Sequence, residues 1–467
     1  MGDRSQYSFA EFFIRASSRS QLWTAIVRGI GAASSFLVLS ALSVHEFGRY
    51  QLVLAAVAMA ASFAAGLFDD IVVNEISRAL VEGARSRAKR LFQEFFVLKA
   101  LLAMAISLGL FAAAGLVAAY YGQDIAVLVR LASVLVVVDI FRVLEIYFFR
   151  ATRSLAAFGA EALQEAARLV FLAGLWFFGR LGLGEILVAL IAASLVAVLY
   201  VTFRFVRHYR RTFRDTASER GWLLPALVRT YGRWVFLRYG AARLFKGTDV
   251  WFIRLFLSTE AVAYYSVAVS LITFAHSLFP TAILGLLLPW ELTDRRRFAY
   301  IYQRMVKYGA WLGLGASLGA WFIVPGLIEL IFPKYVPAMG IFRVMALTLP
   351  LYAVYKFQKS FLTVLREQKV LTMRLVSEQV LTLGILAALL PLIGLYAAVI
   401  SYLVTYGGRV ILFTVYLRRS YPELRVKWKH LVSFDETDRT LLDRVWSESM
   451  HPGRWWKSIR ISPISPP

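Results

Sequence analysis

Twelve stretches of this chain are long and apolar enough to cross a bilayer as helices: roughly residues 21–43, 48–69, 91–117, 125–147, 154–178, 183–203, 230–254, 260–285, 308–332, 338–362, 370–391 and 393–417. A crossing helix needs about 20 predominantly apolar residues. Most of the stretches are Leu, Ala, Val, Ile and Phe on all faces, which suits helices that meet lipid on one side and protein on the other. The seventh is the least apolar, since it carries Arg238, Arg243, Lys246 and Asp249. No run of about ten residues alternates apolar with polar, so a transmembrane β-barrel does not fit. Hydrophobic residues make up 59% of the chain, against about 45–50% in soluble domains. That surplus excludes a soluble globular protein and a disordered one.

The formal net charge is +23, from 52 Lys and Arg against 29 Asp and Glu. With the N-terminus placed in the cytoplasm, 35 basic residues fall on the cytoplasmic side: at the N-terminus, in loops 70–90, 148–153, 204–229, 286–307 and 363–374, and in the tail. The outer loops hold only Arg49, Arg180, Arg254 and Lys334, and 13 basic residues lie within the spans. This alternation obeys the positive-inside rule and predicts an even number of spans with both termini inside. Charge spread over short loops argues against nucleic-acid binding. There is no Cys, hence no disulfide or thiolate site. His45, His208, His276, His430 and His451 show no ligand spacing. No P-loop, G-x-S-x-G or metal-hydrolase motif is present, so neither catalytic residues, a metal nor a cofactor is expected.

The chain divides into a segment 1–20, six spans over 21–203, a basic linker 204–229, six spans over 230–417, and a tail 418–467. Ser8-Phe9-Ala10-Glu11 has a capping-box pattern, and Phe9, Phe12 and Phe13 predict a short interfacial helix rather than a cleavable signal. In the tail, Ser433 to Glu436 repeats the capping pattern, and Leu441, Leu442, Val445 and Trp446 form one apolar stripe. A membrane-surface anchor is expected there, with partner binding as the alternative. A shift of 215 residues lays the first two spans on the seventh and eighth: Leu42 to Tyr50 meets Leu257 to Tyr265, with Leu, Ser and Tyr identical. Six spans separate the copies, so the halves repeat in parallel about an axis along the membrane normal. All 13 prolines lie at residue 225 or later, and Pro280 and Pro350 predict kinks within spans.

Ionisable groups inside spans are costly and are therefore functional candidates. Arg28, Arg238, Lys356 and Arg409 come from four helices at one depth in the cytoplasmic half, Arg28 about 10 Å in at 1.5 Å per residue. At the repeat shift Arg28 overlays Arg243. Arg238, Arg243, Lys246 and Asp249 share one helical face, as a wet cavity would require. Snorkelling to the interface is the alternative, foremost for Lys359. A second group is mixed: Asp139, Arg142 and Glu145 in the fourth span, and Glu161, Glu165 and Arg168 in the fifth. These can neutralise one another, or serve as a cation or proton coupling site. Glu378 is a lone carboxylate with Arg374 as its natural partner, and Asp69 and Asp70 close the second span at the interface. Gly315 and Gly319 form a GxxxG, which predicts close helix packing.

Twelve helices in two parallel halves with deep cations describe an alternating-access transporter of an anionic substrate. Glu46-Phe47-Gly48-Arg49-Tyr50 resembles the E-x-G-x-Y turn between helices 1 and 2 of the polysaccharide transporter family, the Wzx-type lipid-linked oligosaccharide flippases of the multidrug/oligosaccharidyl-lipid/polysaccharide exporter superfamily. Asp249 with Leu257 to Tyr265 is similar to that family's D…G-x-Y pattern between helices 7 and 8, with Ala263 in place of the usual Gly. The resemblance covers the twelve spans and not the tail. It implies an all-α, MATE-like membrane protein with a V-shaped central cavity, monomeric and in the bacterial inner membrane. It implies a flippase for an undecaprenyl-pyrophosphate-linked O-antigen, capsule or exopolysaccharide repeat unit, working beside the polysaccharide polymerase machinery. On that reading Arg28, Arg238, Arg243, Lys246, Lys356 and Arg409 hold the diphosphate. H+ or Na+ coupling, or structural pairing, falls to Asp139, Arg142, Glu145, Glu161, Glu165, Arg168, Asp249 and Glu378. A lipid II flippase is the near alternative and a cation-coupled multidrug antiporter the more distant one.

Overall fold

In hydrocarbon a helix lets every backbone N–H find a carbonyl within its own segment, and the apolar stretches fold accordingly. The computed structural model describes residues 9–64, 69–121, 123–152, 159–227, 229, 247–277, 279, 295–365, 367–426, 428–433 and 438–439. In chain order the helices are α1 (Phe9–Ala41), α2 (Val44–Ala64), α3 (Asp69–Val81), α4 (Arg85–Tyr121), α5 (Gln123–Ala151), α6 (Ala160–Phe177), α7 (Leu183–Thr212), α8 (Thr248–Phe256), α9 (Thr259–Ser277), α10 (Arg295–Ile331), α11 (Ala338–Ala346), α12 (Thr348–Val364), α13 (Gln368–Ile393), α14 (Tyr396–Ser420) and α15 (Trp428–Val432). There is no strand among the described residues.

Among the described residues, six helices are long and apolar enough to cross a membrane alone: α1 from Thr24, α4, α7, α10, α13 and α14. Helices α11 and α12 make a seventh span, bent by 44°. The bend lies where a proline kink was expected. Pro350, third in α12, has no N–H for the Ala346 carbonyl, and its ring crowds that oxygen. Pro280 lies outside the described residues. The described parts of the remaining expected spans are also helical, as α2, α5, α6 and α9, and the helix of the seventh is described over Thr248–Phe256.

Two expectations change. Helix α1 runs unbroken from Phe9, so the described part of segment 1–20 is not a separate interfacial helix. The second span ends at Ala64, and Asp69 opens a further helix, α3. Asp69 is buried within the protein: it is 2% exposed and lies 2.5 Å from Lys99 Nζ of α4, itself buried. The basic linker is tied to α4. Lys89 donates to the Thr216 carbonyl and Arg90 to that of Gly221, while buried Glu94 accepts the backbone N–H groups of Leu223 and Leu224. Described parts of the tail also pack on α10. Asp438 is buried against α10, where Lys307, Arg304 and Tyr308 converge on its carboxylate, and Trp311 donates to the Leu431 carbonyl. Residues 434–437 and 440–467, with the apolar stripe, lie outside the described residues.

Helices α1 to α7 pack together, as do α9 to α14, and α2 crosses α9 between them. On the side of the α1–α2 turn the core is continuous across this junction: Leu42, Phe47 and Tyr50 share one cluster with Val262, Tyr335 and Phe342. Toward the side of the basic loops the second half has its own cluster, around Phe298, Tyr302, Phe361 and Phe413.

The expected GxxxG contact is displaced by six residues. Gly315 and Gly319 face open space, whereas Gly309 and Gly313, one turn and more earlier, press α10 onto α12. A Cβ on Gly313 would lie 2.5 Å from Pro350 Cα and 2.9 Å from the Leu349 carbonyl oxygen. Backbone cannot yield as a side chain can. Gly313→Ala is therefore expected to lower stability by about 1–3 kcal/mol, read as thermal unfolding in detergent, while Gly319→Ala leaves it nearly unchanged.

Candidate functional site

The motif Ser43 to Tyr50 builds a turn and a lobe junction together. Ser43 caps α2: its hydroxyl accepts the Glu46 N–H at 3.2 Å, and Glu46 accepts the Ser43 N–H at 2.9 Å and its O–H at 2.8 Å. This is a reciprocal capping box. These hydrogen bonds to Ser43 hold the Glu46 carboxyl below the usual carboxylate range. In the other half Ser258, 215 residues on, caps α9 through the Ala261 N–H. His45 and Glu260 are equivalent at that same shift and meet at 2.7 Å. Two equivalent positions can touch only near the axis that relates them. A Cβ on Gly48 would run into the Thr259 backbone carbonyl, so α2 and α9 cross closely only because that side chain is absent. Phe47 packs edge-on to Tyr335 at 5.7 Å, and Lys334 donates to the carbonyls of Leu42 and Ser40 at 2.6 and 3.2 Å. Burial lowers the Lys334 pKa. These contacts shut the turn side of the junction.

The motif tyrosines carry a second signal. Tyr50 and Tyr265, equivalent and both buried, each reach an ionisable group of their own half. Arg168 approaches the Tyr50 hydroxyl at 3.5 Å, and the Tyr265 hydroxyl donates to Asp249.

Behind Asp249 lies a cavity of about 190 Å³ in the second half, lined by Thr382, Ser401, Tyr402, Thr405, Glu378 and Arg409 among others. Arg409 is not free for a ligand. Its guanidinium forms a bidentate pair with Glu378, with Nε at 2.9 Å, and stacks on Tyr406 at 4.1 Å. Glu378 also takes Arg374 at 3.2 Å, as its spacing suggested, and Arg374 donates to the Tyr355 hydroxyl at 2.6 Å. One carboxylate thus serves two arginines. Lys356 lies over the Tyr352 ring at 5.3 Å, with no carboxylate within pairing distance among the described residues. His276 stacks on the same ring at 3.5 Å. Lys356 and Arg409 are close enough to repel each other.

The first half gathers the mixed group. Arg142 binds Asp139 at 3.0 Å and donates to Gln164, which donates to Ser194 at 3.0 Å. Asp139 and Arg142 border a cavity of about 530 Å³ with Ser62, Tyr147 and apolar residues of α2, α5 and α7. Glu165 approaches Arg168 at 3.7 Å, and Arg28 reaches Glu161 at 3.9 Å, with both of the latter largely exposed. Glu145 differs. It is 3% exposed, and one oxygen accepts the Thr202 hydroxyl at 2.7 Å, while the other has no partner among the described residues. Arg238, Arg243 and Lys246 lie outside the described residues. No group of three or more potential metal ligands occurs among the described residues. The sequence reading missed the Lys99–Asp69 pair and the second guanidinium on Glu378. Both depend on which helices become neighbours, and no spacing along one helix encodes that.

The family model for polysaccharide biosynthesis proteins matches residues 19–290. No curated protein sequence matches. Among solved structures, an inward-facing multidrug resistance MATE family transporter of the MOP superfamily is similar with a TM-score of 0.69 at 14% identity, over 85% of this chain and 94% of that one. The lipid II flippase MurJ in an inward closed conformation is similar at 0.69 and 10% identity, over 93% and 92%. A MOP superfamily transporter from Pyrococcus furiosus, described by a binding pocket of reversed polarity, is similar at 0.61 and 13% identity, over 89% and 96%. The fold is that of these membrane transporters, and the chain is a multi-pass membrane protein.

Two outcomes follow from the geometry. Glu378→Gln leaves two buried guanidiniums without a counter-charge and is expected to cost about 3–5 kcal/mol. Arg409→Gln, which leaves the Arg374 pair intact, should cost clearly less in the same unfolding measurement. Glu46 has a lowered carboxyl pKa, so its contribution is present above the ordinary value of 4.5 and fades as pH falls through the lowered folded value. Glu46→Gln should therefore be less stable than the parent at neutral pH, and the gap should close on acidification below about 4.5.

Proposed function

The chain belongs to the polysaccharide biosynthesis protein family, and on that premise we propose that it flips a lipid-linked oligosaccharide across the bacterial inner membrane, with the polyprenyl diphosphate as the recognised charge. The carrying observation is the unneutralised cation Lys356 beside an Arg374–Glu378–Arg409 cluster that has one carboxylate for two arginines. An anion entering there replaces the hydration it loses with fixed positive charge. Lys356 is the direct ligand from the second half, and Arg28, half-exposed and weakly paired to Glu161, is the ligand from the first. Arg409 acts as a held charge that adds to the field rather than as a free fork. Arg238, Arg243 and Lys246 complete the set on the sequence reading.

The turn side is shut by the His45–Glu260 and Lys334 contacts, so the cargo enters from the side of the basic loops. Those loops face the cytoplasm by the positive-inside rule, which also places both termini there. Opening the α2–α9 junction would then release the headgroup to the outer leaflet, as alternating access requires. The sugars occupy the aqueous space between the lobes and the prenyl chain stays in lipid. The protein works as a monomer, without enzymatic chemistry, and passes its product to the polysaccharide polymerase machinery.

A coupling ion is part of the proposal. Glu145, buried without a cation partner, is the group best suited to carry H+. Asp249 with the oxygens of Thr382, Ser401 and Thr405 is the alternative, a place for Na+. A lipid II flippase would use the same cations, and the cargo is what separates the two readings.

Complementation of flippase-deficient bacteria tests the proposal. Lys356→Gln combined with Arg28→Gln should abolish rescue at normal membrane levels, with the lipid-linked glycan accumulating on the inner leaflet, while Lys356→Arg keeps partial function. Full rescue by the double variant would overturn it. Rescue of a lipid II flippase deficiency instead would reassign the cargo.

A further inference from the structure

A third cavity, of about 400 Å³, opens among α3, α4, α5 and α7 on the side of the basic loops, away from the two clusters described above. Its wall is mixed: Leu80, Val81 and Ala151 are apolar, and Ser77, Thr152 and Thr212 bring hydroxyls. Its charged residues are cationic: Arg85, the first residue of α4, and Arg211, in the last turn of α7. His208 also lines it, sharing a hydrogen bond of 2.9 Å with Thr152, and Arg211 is near enough for its charge to act on that ring. No carboxylate borders the cavity among the described residues. The nearby acids are engaged elsewhere, Glu82 by Arg78 at 2.8 Å and Asp215 by Arg214 at 3.7 Å.

Several cations inside the fold meet an acid: Lys99 meets Asp69, Arg409 meets Glu378, Lys307 meets Asp438. Arg85 and Arg211, like Lys356, have no carboxylate partner among the described residues. An arginine fork is shaped for two oxygens of one phosphate. The cavity sits where the basic loops leave the apolar spans, which is the depth of lipid headgroups. A hydrated anion has no use for the Leu80–Val81 wall, whereas the glycerol and acyl root of a phospholipid does.

We propose that this cavity binds a phosphate-ester anion through Arg85 and Arg211, and that its source is an anionic phospholipid headgroup rather than a soluble phosphate. The inference rests on the membrane-embedded fold and is independent of the cargo.

The test uses the full chain purified in neutral detergent. Bound lipid is counted by native mass spectrometry, and thermal stability is followed with phosphatidylglycerol, phosphatidylcholine or inorganic phosphate. Phosphatidylglycerol is expected to bind and raise Tm, and phosphatidylcholine is not. In Arg85→Gln with Arg211→Gln, phosphatidylglycerol should bind at least about tenfold more weakly, with one fewer lipid retained, since each charge-assisted contact is worth that much. Arg85→Lys with Arg211→Lys should keep part of the effect. Both side chains are exposed, so the unliganded Tm should barely move. A Tm shift with inorganic phosphate alone, lost in the Gln variant, upholds the phosphate site and overturns its lipid source. Equal phosphatidylglycerol binding in the parent and the Gln variant, or no preference over phosphatidylcholine and no response to phosphate, overturns the proposal. Loss of flipping in Arg28 and Lys356 variants bears only on the cargo site.

Discussion

Where α2 crosses α9, the Thr259 carbonyl occupies the space that any side chain at position 48 would fill. This close approach brings the two halves together on one side, and much else depends on it. It lets equivalent residues, His45 and Glu260, meet across the axis. It brings Tyr335 and Lys334 from the α10–α11 connection onto Phe47 and the end of α1. A junction packed at one end of a bundle leaves the other end to separate cores, as the cluster around Phe298 and Phe361 shows. A small residue at the crossing is thus a condition for a cleft that opens on one side only.

The lobes differ in how they balance charge. In the first half, of the groups considered, Asp139, Glu145, Glu161 and Glu165 face Arg28, Arg142 and Arg168, and the carboxylates are in excess. In the second half Arg374 and Arg409 share Glu378 while Lys356 lies over Tyr352, and the cations are in excess. Burying one member of a pair without the other costs far more than the pair itself.

The basic loops are also ordered by single acids. Glu94 holds the linker at Leu223 and Leu224, and Asp438 holds the tail to α10 through Lys307 and Arg304. In a chain with a surplus of cations, each buried carboxylate organises several partners. The tethers run within one half each, and neither crosses the α2–α9 junction.

The apolar stretches, the positive loops, the Pro350 kink and the repeat at 215 residues were all legible in the sequence. They are local or additive: the length of an apolar run decides whether a helix can cross, and a missing N–H acts on its own turn. The turn motif was legible as a family signature, though not its use of Ser43 as a cap and Gly48 as a crossing point. Arg409 read as a free cation and Gly315 with Gly319 as a packing face, because along one helix nothing distinguishes them from Lys356 or from Gly309 and Gly313. Only the tertiary structure decided those, since an ion pair or a close crossing exists only when a second helix arrives at the right height and rotation. The sequence by itself determined the solvent the chain lives in and the helices it makes. The packing determined which charges are spent on one another and which are left for a ligand.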